Sequence, residues 1–165
     1  MRERRPKDAD GGLPSPLAST PDPPAASHEA LESALTSARI AVATCQTAVR
    51  AALRADFSGS ADGFRRVAEA CRAGGERLRR AGETRAAKAF DSAARRAEST
   101  AGEVAVLHGR VGPAAFAAAR ATKVQAMTVL ELIERARTAV RDSAGRRPAT
   151  GPLARLTRLV RGRRK

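Results

Sequence analysis

The sequence predicts an all-α protein, either an antiparallel helical bundle or a long helical hairpin, with a disordered N-terminal arm and a basic C-terminal tail. The first observation behind this prediction is that the 165 residues include no Trp, no Tyr and only four Phe. Strands favour aromatic and β-branched residues, so this composition argues against a sheet. The second observation is that apolar residues recur every three or four positions through the middle of the chain, which indicates amphipathic helices.

The hydrophobic fraction of 42% is dominated by 38 alanines. A buried Ala contributes far less than the ~1.5–3 kcal/mol typical of a buried Leu, Val or Phe. We therefore expect a thin core between closely approaching helices, and self-association or a partner that completes the fold.

Residues 1–27 are predicted to be a disordered arm, because six prolines and two neighbouring glycines leave too little apolar surface to form a core. The first residues are charged and lead into Gly-Gly and Pro, which is unlike a secretory signal or an anchor. No run approaches the ~20 apolar residues of a spanning helix. We expect no transmembrane segment and a soluble protein.

The helical domain is predicted to occupy residues 28–144. Ser27 would cap its first helix, which should stop near Asp56. The next residues, 57–63, contain two Gly and two Ser and are predicted to form a turn. The apolar stripe of this helix comprises Leu31, Leu35, Ala38, Val42, Cys45, Val49 and Leu53.

A second apolar stripe runs from Phe64 to Leu107 and is interrupted by Gly74, Gly75 and Gly82. Each Gly costs about 0.5–1 kcal/mol relative to Ala inside a helix. Either the chain breaks near 74–82, or small residues there let another helix approach closely. We favour one long helix with a weak point.

Gly109, Gly112 and Pro113 mark the next corner, and Pro113 suits the first position of a third helix. That helix should end before Gly145. Its predicted apolar positions are Phe116, Val124, Met127, Leu130, Ile133 and Val140.

The tail, residues 145–165, supplies +8 of the formal net charge of +14, while the arm contributes none and the helical middle +6. Its cations are predicted to serve nuclear targeting or contact with an anionic surface, whether through import receptors or through non-specific phosphate neutralisation on nucleic acid. These residues are Arg146, Arg147, Arg155, Arg158, Arg161, Arg163, Arg164 and Lys165.

Within the tail, Leu153, Leu156, Leu159 and Val160 recur at helical spacing between arginines. They define a short basic amphipathic helix that could dock on an anionic membrane or in a partner's groove. The alternative is a solvated tail whose leucines cover the end of the bundle.

Catalytic chemistry is not expected, because only His28 and His108 provide imidazoles and no phosphate-binding loop, dinucleotide fingerprint or zinc spacing occurs. We predict a non-enzymatic protein without cofactor or metal. Cys45 and Cys71 fall on apolar helical positions and should be reduced, packed thiols. With the two histidines they make the one possible set of four metal ligands, in a spacing unlike compact zinc motifs.

Three short motifs resemble the small helical tegument proteins of herpesviruses, the UL-fourteen-like family. Arg39 lies seven residues before Gln46-Thr47, and Asp62 precedes Phe64 at the start of a charged, Ala-rich helix. His108-x-Arg110 then comes shortly before Pro113-Ala114. The resemblance covers residues 30–140, whereas the Pro-rich arm and the basic tail lie outside it.

The resemblance implies a non-enzymatic tegument protein that binds other viral structural proteins and assists virion assembly and nuclear transport. It would be found in the virion tegument, the host cytoplasm and the host nucleus; a non-viral protein of this kind would be cytoplasmic. Two alternatives stay open, namely a non-specific nucleic-acid-binding protein of the nucleoid type and a peripheral membrane protein that uses its C-terminal amphipathic helix.

Overall fold

Four α-helices and no strand make up the part of the chain described by the structure, a computed structural model that covers the backbone of residues 23–145 and the side chains of residues 27–145. The all-α prediction is confirmed. Residues 23–27 of the predicted disordered arm belong to α1, so that part of the prediction is wrong. Residues 1–22 and 146–165 lie outside the described residues, so their disorder and charge contacts stay predictions. The helices are α1 (Pro23–Leu53), α2 (Phe57–Arg80), α3 (Thr84–Ala105) and α4 (Gly112–Gly145).

Each helix packs against two others: α1 and α3 both contact α2 on one side and α4 on the other. The connections 54–56, 81–83 and 106–111 are short, so successive helices run antiparallel. Two of these connections, 54–56 and 106–111, therefore lie at the same end of the bundle, which we call the upper end. The connection 81–83 lies at the opposite, lower end.

The prediction of one long helix across residues 64–107 is wrong, because the chain turns back after Arg80. Gly82 has a φ of 79°, in the left-handed region that favours glycine. Its N–H donates to the carbonyl of Arg79 (3.1 Å), and the next N–H, that of Glu83, donates to the carbonyl of Leu78 (2.8 Å). This pair of bonds is a Schellman motif, which ends α2 and makes the bundle four-helical.

Gly74 and Gly75 remain inside α2 and allow the close helix approach that was the other predicted role of the glycines. A Cβ added at Gly74 would lie 2.7 Å from a ring carbon of Phe90 in α3 and 3.2 Å from the Cβ of Ser37 in α1. The two neighbouring helices thus converge on this glycine. Both predicted effects of the glycines therefore occur. Gly82 breaks the helix, and Gly74 and Gly75 allow close packing.

The turn predicted at residues 57–63 is also wrong, because these residues form the first two turns of α2. The Asp56 carboxylate accepts a hydrogen bond from the N–H of Gly59 (2.8 Å), and Phe57 is almost fully buried. A side-chain cap and a buried aromatic residue start the helix despite its Gly and Ser content. α1 ends at Leu53 through Ala55, whose φ is 60°, and begins at Pro23, so Ser27 is not its cap.

Alanine makes up more than half of the buried hydrophobic residues in the described part of the chain. The largest buried side chains are Phe57, Phe64 and Leu78 of α2 and Phe90 of α3. Between α1 and α2 the contact is backbone-close, since a Cβ on Gly63 would lie 2.6 Å from the Cβ of Ala48. The aromatic core thus lies on α2 and α3, and small residues bring α1 against them.

We expect Gly63→Ala to lower the free energy of unfolding by about 1–2 kcal/mol, because overpacking at Ala48 outweighs the gain in helix propensity. Gly102→Ala is the matched control, since Gly102 lies within α3 and an added Cβ there meets nothing within 4 Å. It should raise the same free energy by about 0.5–1 kcal/mol. Urea unfolding followed by circular dichroism measures both, and equal stabilisation by the two substitutions would contradict close α1–α2 packing.

Candidate interaction surface

Three large apolar residues of α4 point into solvent. Phe116 is 67% exposed, Val124 65% and Met127 55%. Their predicted places in the core are wrong, whereas Ile133 and Val140 are buried and Leu130 is partly buried, as expected. The α4 helix therefore presents its only aromatic residue outward.

The first half of α4 contributes only small side chains to the core, namely Ala115, Ala118, Ala119, Thr122 and Ala126. The reason is the short distance to α1, where the Cys45 thiol lies 3.9 Å from the backbone carbonyl of Ala126. A side chain larger than Ala or Thr would not fit at such a seam. This half of the helix is consequently held by little apolar area, because each Ala buries far less than a Phe or Met would.

In the part of the chain whose side chains are described, all seven exposed large apolar residues fall within two segments, 33–55 and 104–130. The first segment belongs to α1 and the connection after it, and the second runs from the end of α3 through the first half of α4. Because α1 and α4 are neighbours, these residues share one side of the bundle and its upper end. They are Ile40, Leu53, Val106, Val111, Phe116, Val124 and Met127.

The same two segments contain no acidic residue. Residues 23–145 hold 19 Arg and Lys against 13 Asp and Glu, a net charge of +6, and the six cations of the two segments equal this excess. We call the exposed side chains of residues 33–55 and 104–130 the cationic apolar surface. Its six cations are Arg39, Arg50, Arg54, Arg110, Arg120 and Lys123.

The opposite side, formed by α2 and α3, carries charges of both signs, with ten Arg and Lys against eight Asp and Glu over residues 56–103. Arg79 pairs with Asp91 across the two helices (2.9 Å), and Arg72 pairs with Glu98 in the same way. Further pairs along α2 join Arg65 to Asp62 and both Arg79 and Arg80 to Glu76. Exposed pairs of this kind contribute only about 0–1 kcal/mol each. Their larger effect is to pair many of the cations on this side, whereas the six cations of the cationic apolar surface have no acidic residue within their own segments.

Four residues of α4 form a line along its outer face, which we call the α4 stripe: Phe116, Arg120, Lys123 and Met127. Their spacing of four, three and four residues places them above one another. The guanidinium of Arg120 lies 5.9 Å from the centre of the Phe116 ring, within the range of a cation–π contact. Acidic residues return only one turn further on, at Glu131 and Glu134. The stripe thus has apolar ends and a cationic centre.

Sequence reasoning missed this surface, although two signals were visible. One is the absence of Asp and Glu over residues 33–55 and 104–130. The other is that the alanines between 115 and 126 repeat at helical spacing as regularly as the larger residues do. The prediction assigned the larger residues to the buried face of α4. In the first half of the helix the alanines form that face instead.

The predicted tail residues lie outside the described part of the chain, so the structure does not place them. This applies to the charged set Arg146, Arg147, Arg155, Arg158, Arg161, Arg163, Arg164 and Lys165, and to the docking set Leu153, Leu156, Leu159 and Val160. Among α1 to α4, none is both long enough and apolar enough to span a membrane.

The four residues of the possible metal set are not brought together. His28 lies near the lower end in the first turns of α1, whereas His108 lies in the connection 106–111 at the upper end. Cys45 and Cys71 are free and fully buried, which confirms the prediction of reduced, packed thiols. Within residues 23–145, no three or more His, Cys, Asp and Glu side chains form a group that could hold a metal ion.

The fold and surface define a four-helix bundle with one cationic, apolar side. The chain matches no protein-family model, no curated protein and no solved structure at a significant level.

Burial raises the pKa of the Cys45 thiol to about 11. It raises that of the Cys71 thiol to about 12, with a further contribution from Cys45. Ordinary thiols titrate near 9.0. Because the unfolded chain loses these protons first, the contribution of the two thiols to the free energy of unfolding should be fully present below about pH 8.5 and should be lost as pH rises from there towards 11–12.

Urea titrations at several pH values measure this slope, and Cys71→Ala should make it shallower. A slope unchanged by this substitution would contradict the assignment.

Proposed function

We propose that this protein is a non-enzymatic adaptor that binds an acidic, amphipathic helix of another protein along the α4 stripe. The observation that carries the proposal is the exposure of Phe116 and Met127 on a helix whose inner face is alanine and threonine. Aromatic residues, Met and Arg are enriched at protein interfaces relative to the rest of the surface. Exposed apolar groups that lie together, rather than singly, mark interaction sites.

The dimensions of the stripe suit a helical partner. Eleven residues separate Phe116 from Met127, which corresponds to about 16 Å, or three helical turns. Apolar side chains of a partner helix at matching spacing would cover the two ends of the stripe. Carboxylates between them would face Arg120 and Lys123, and this charge match would favour an acidic partner over a basic one.

A protein partner accounts for more of the surface than nucleic acid does. The phosphates of a nucleic acid would pair with Arg120 and Lys123. Neutralising those phosphates requires only cations, so nucleic-acid binding would not explain the exposed Met and Val side chains. The nucleic-acid and peripheral-membrane alternatives that depend on residues 146–165 stay predictions. Virion assembly, nuclear transport, the virion and host locations and self-association also stay predictions. An adaptor that binds other proteins is compatible with each of them.

The test compares partner capture by four forms of the full chain in extracts of its source cells. The stripe variant carries Phe116→Ser and Met127→Ser, and the matched control carries Ile40→Ser, because Ile40 is 54% exposed on α1, outside the stripe. A charge variant carries Arg120→Glu and Lys123→Glu. Quantitative mass spectrometry identifies proteins retained by the wild type.

We expect at least one protein that the wild type and the Ile40 variant retain equally and that the stripe variant retains at least tenfold less. With that partner purified, the charge variant should also bind at least tenfold more weakly, since each interfacial charge reversal costs about 1 kcal/mol or more. The melting temperatures of all variants should stay close to that of the wild type, because exposed substitutions change stability by only about 0.5 kcal/mol. If the stripe variant retains every captured protein as well as the wild type does, the proposal is refuted.

A further inference from the structure

The upper end of the bundle presents aliphatic side chains that the α4 stripe does not use. Val106 and Val111, at the two limits of the connection 106–111, are 77% and 80% exposed, the highest values among the large apolar residues described. Leu53, at the end of α1, is 56% exposed and lies at the same end. Three aliphatic side chains, two from the connection 106–111 and one from the last residue of α1, thus project from one end of the molecule.

Their positions are held by local backbone hydrogen bonds. Within the connection, the N–H of Leu107 donates to the carbonyl of Val104 (3.0 Å), and the N–H of Arg110 donates to that of Leu107 (3.2 Å). Gly109 and Gly112 have φ values of 80° and 61°, which reverse the chain direction into α4. Because part of the backbone is bonded internally, less of it must give up water if this end enters a less polar medium.

Cations surround these side chains, and the nearby acids are engaged elsewhere. Arg54 and Arg110 lie in the two connections themselves, and Arg50 lies in the last turn of α1. At this end Asp56 caps α2 through Gly59, Asp62 pairs with Arg65, and Glu103 pairs with Arg96. Asp56 keeps its negative charge and is exposed, but Arg50, Arg54 and Arg110 outnumber it, so the net charge beside Leu53, Val106 and Val111 is positive.

We propose that the upper end of the bundle docks on an anionic lipid bilayer. Val106, Val111 and Leu53 enter the interface between headgroups and acyl chains, and Arg54 and Arg110 contact lipid phosphates. Aliphatic side chains beside cations are the combination that interfacial binding uses, since apolar burial and attraction to anionic lipid act together. The three side chains project from chain reversals at the end of the bundle, which suits a flat surface better than a partner's groove.

Tryptophan reporters test this directly, because the chain has no Trp or Tyr of its own. Val111→Trp places a single fluorophore at the upper end, and Ile40→Trp places one on the side of α1 as the control. Each full-length variant is mixed with vesicles of phosphatidylcholine alone or of phosphatidylcholine with phosphatidylserine. Emission wavelength and quenching by brominated acyl chains report whether the indole enters the bilayer.

We expect the Val111→Trp emission to shift to the blue and to be quenched with phosphatidylserine vesicles only, whereas Ile40→Trp stays unchanged. Adding Arg54→Ala and Arg110→Ala to the Val111→Trp chain should reduce its partitioning roughly 25-fold, since each cation near an anionic surface contributes about a fivefold factor. Sedimentation with vesicles while the Val111→Trp signal stays unchanged would overturn the proposal and assign binding to other residues. A response of this reporter to the partner protein but not to vesicles would overturn it in favour of a protein site.

These outcomes are independent of the α4 stripe, because neither reporter nor charge pair includes a stripe residue. Loss of vesicle binding leaves the adaptor proposal standing, and loss of partner capture leaves membrane docking standing.

Discussion

The close approach of α1 to its two neighbours is the constraint on which the rest of the structure depends. Gly63 meets Ala48 across α1 and α2, and Gly74 lies between Ser37 of α1 and Phe90 of α3. Small residues permit this spacing, and the dispersion contacts of a tightly packed interior then stabilise it. At the seam between α1 and α4 the Cys45 thiol lies 3.9 Å from the carbonyl of Ala126, and only Ala and Thr are buried along the first half of α4. Larger residues of that half-helix consequently lie outside.

This packing divides the molecule into two sides with different chemistry. The α2–α3 side buries the aromatic core beneath balanced ion pairs. The cationic apolar surface, in contrast, combines six cations and no acidic residue with exposed aliphatic and aromatic side chains. A thin core that leaves apolar residues exposed to solvent lowers the free energy of unfolding. A partner that covers these residues would raise it again. The alanine content of the chain and the proposed binding role thus have a common physical origin.

Much of the fold could be predicted from the sequence, because helix periodicity and chain reversals depend on local chemistry. The corner at Gly109 and Pro113 and the start of the last helix follow from such signals. Residues 57–63 were wrongly predicted to form a turn. The side-chain cap from Asp56 and the burial of Phe57 favour a helix more strongly than their Gly and Ser content favours a turn. The stretch from Gly74 to Gly82 contains both a helix end and a close contact between helices. The sequence alone does not indicate which glycine has which role. The outward face of α4 depends on how near α1 lies, a tertiary property that no local pattern specifies.

Hydrogen–deuterium exchange of the full-length protein tests most directly whether small-residue packing leaves the first half of α4 weakly held. We expect the amides of residues 113–126 to exchange through openings of lower free energy than those of residues 60–78 in α2, where the large side chains of Phe64 and Leu78 are buried. Binding of a partner to the α4 stripe should then slow exchange in 113–126 more than elsewhere. Protection in 113–126 equal to that of α2 in the free protein would contradict the account.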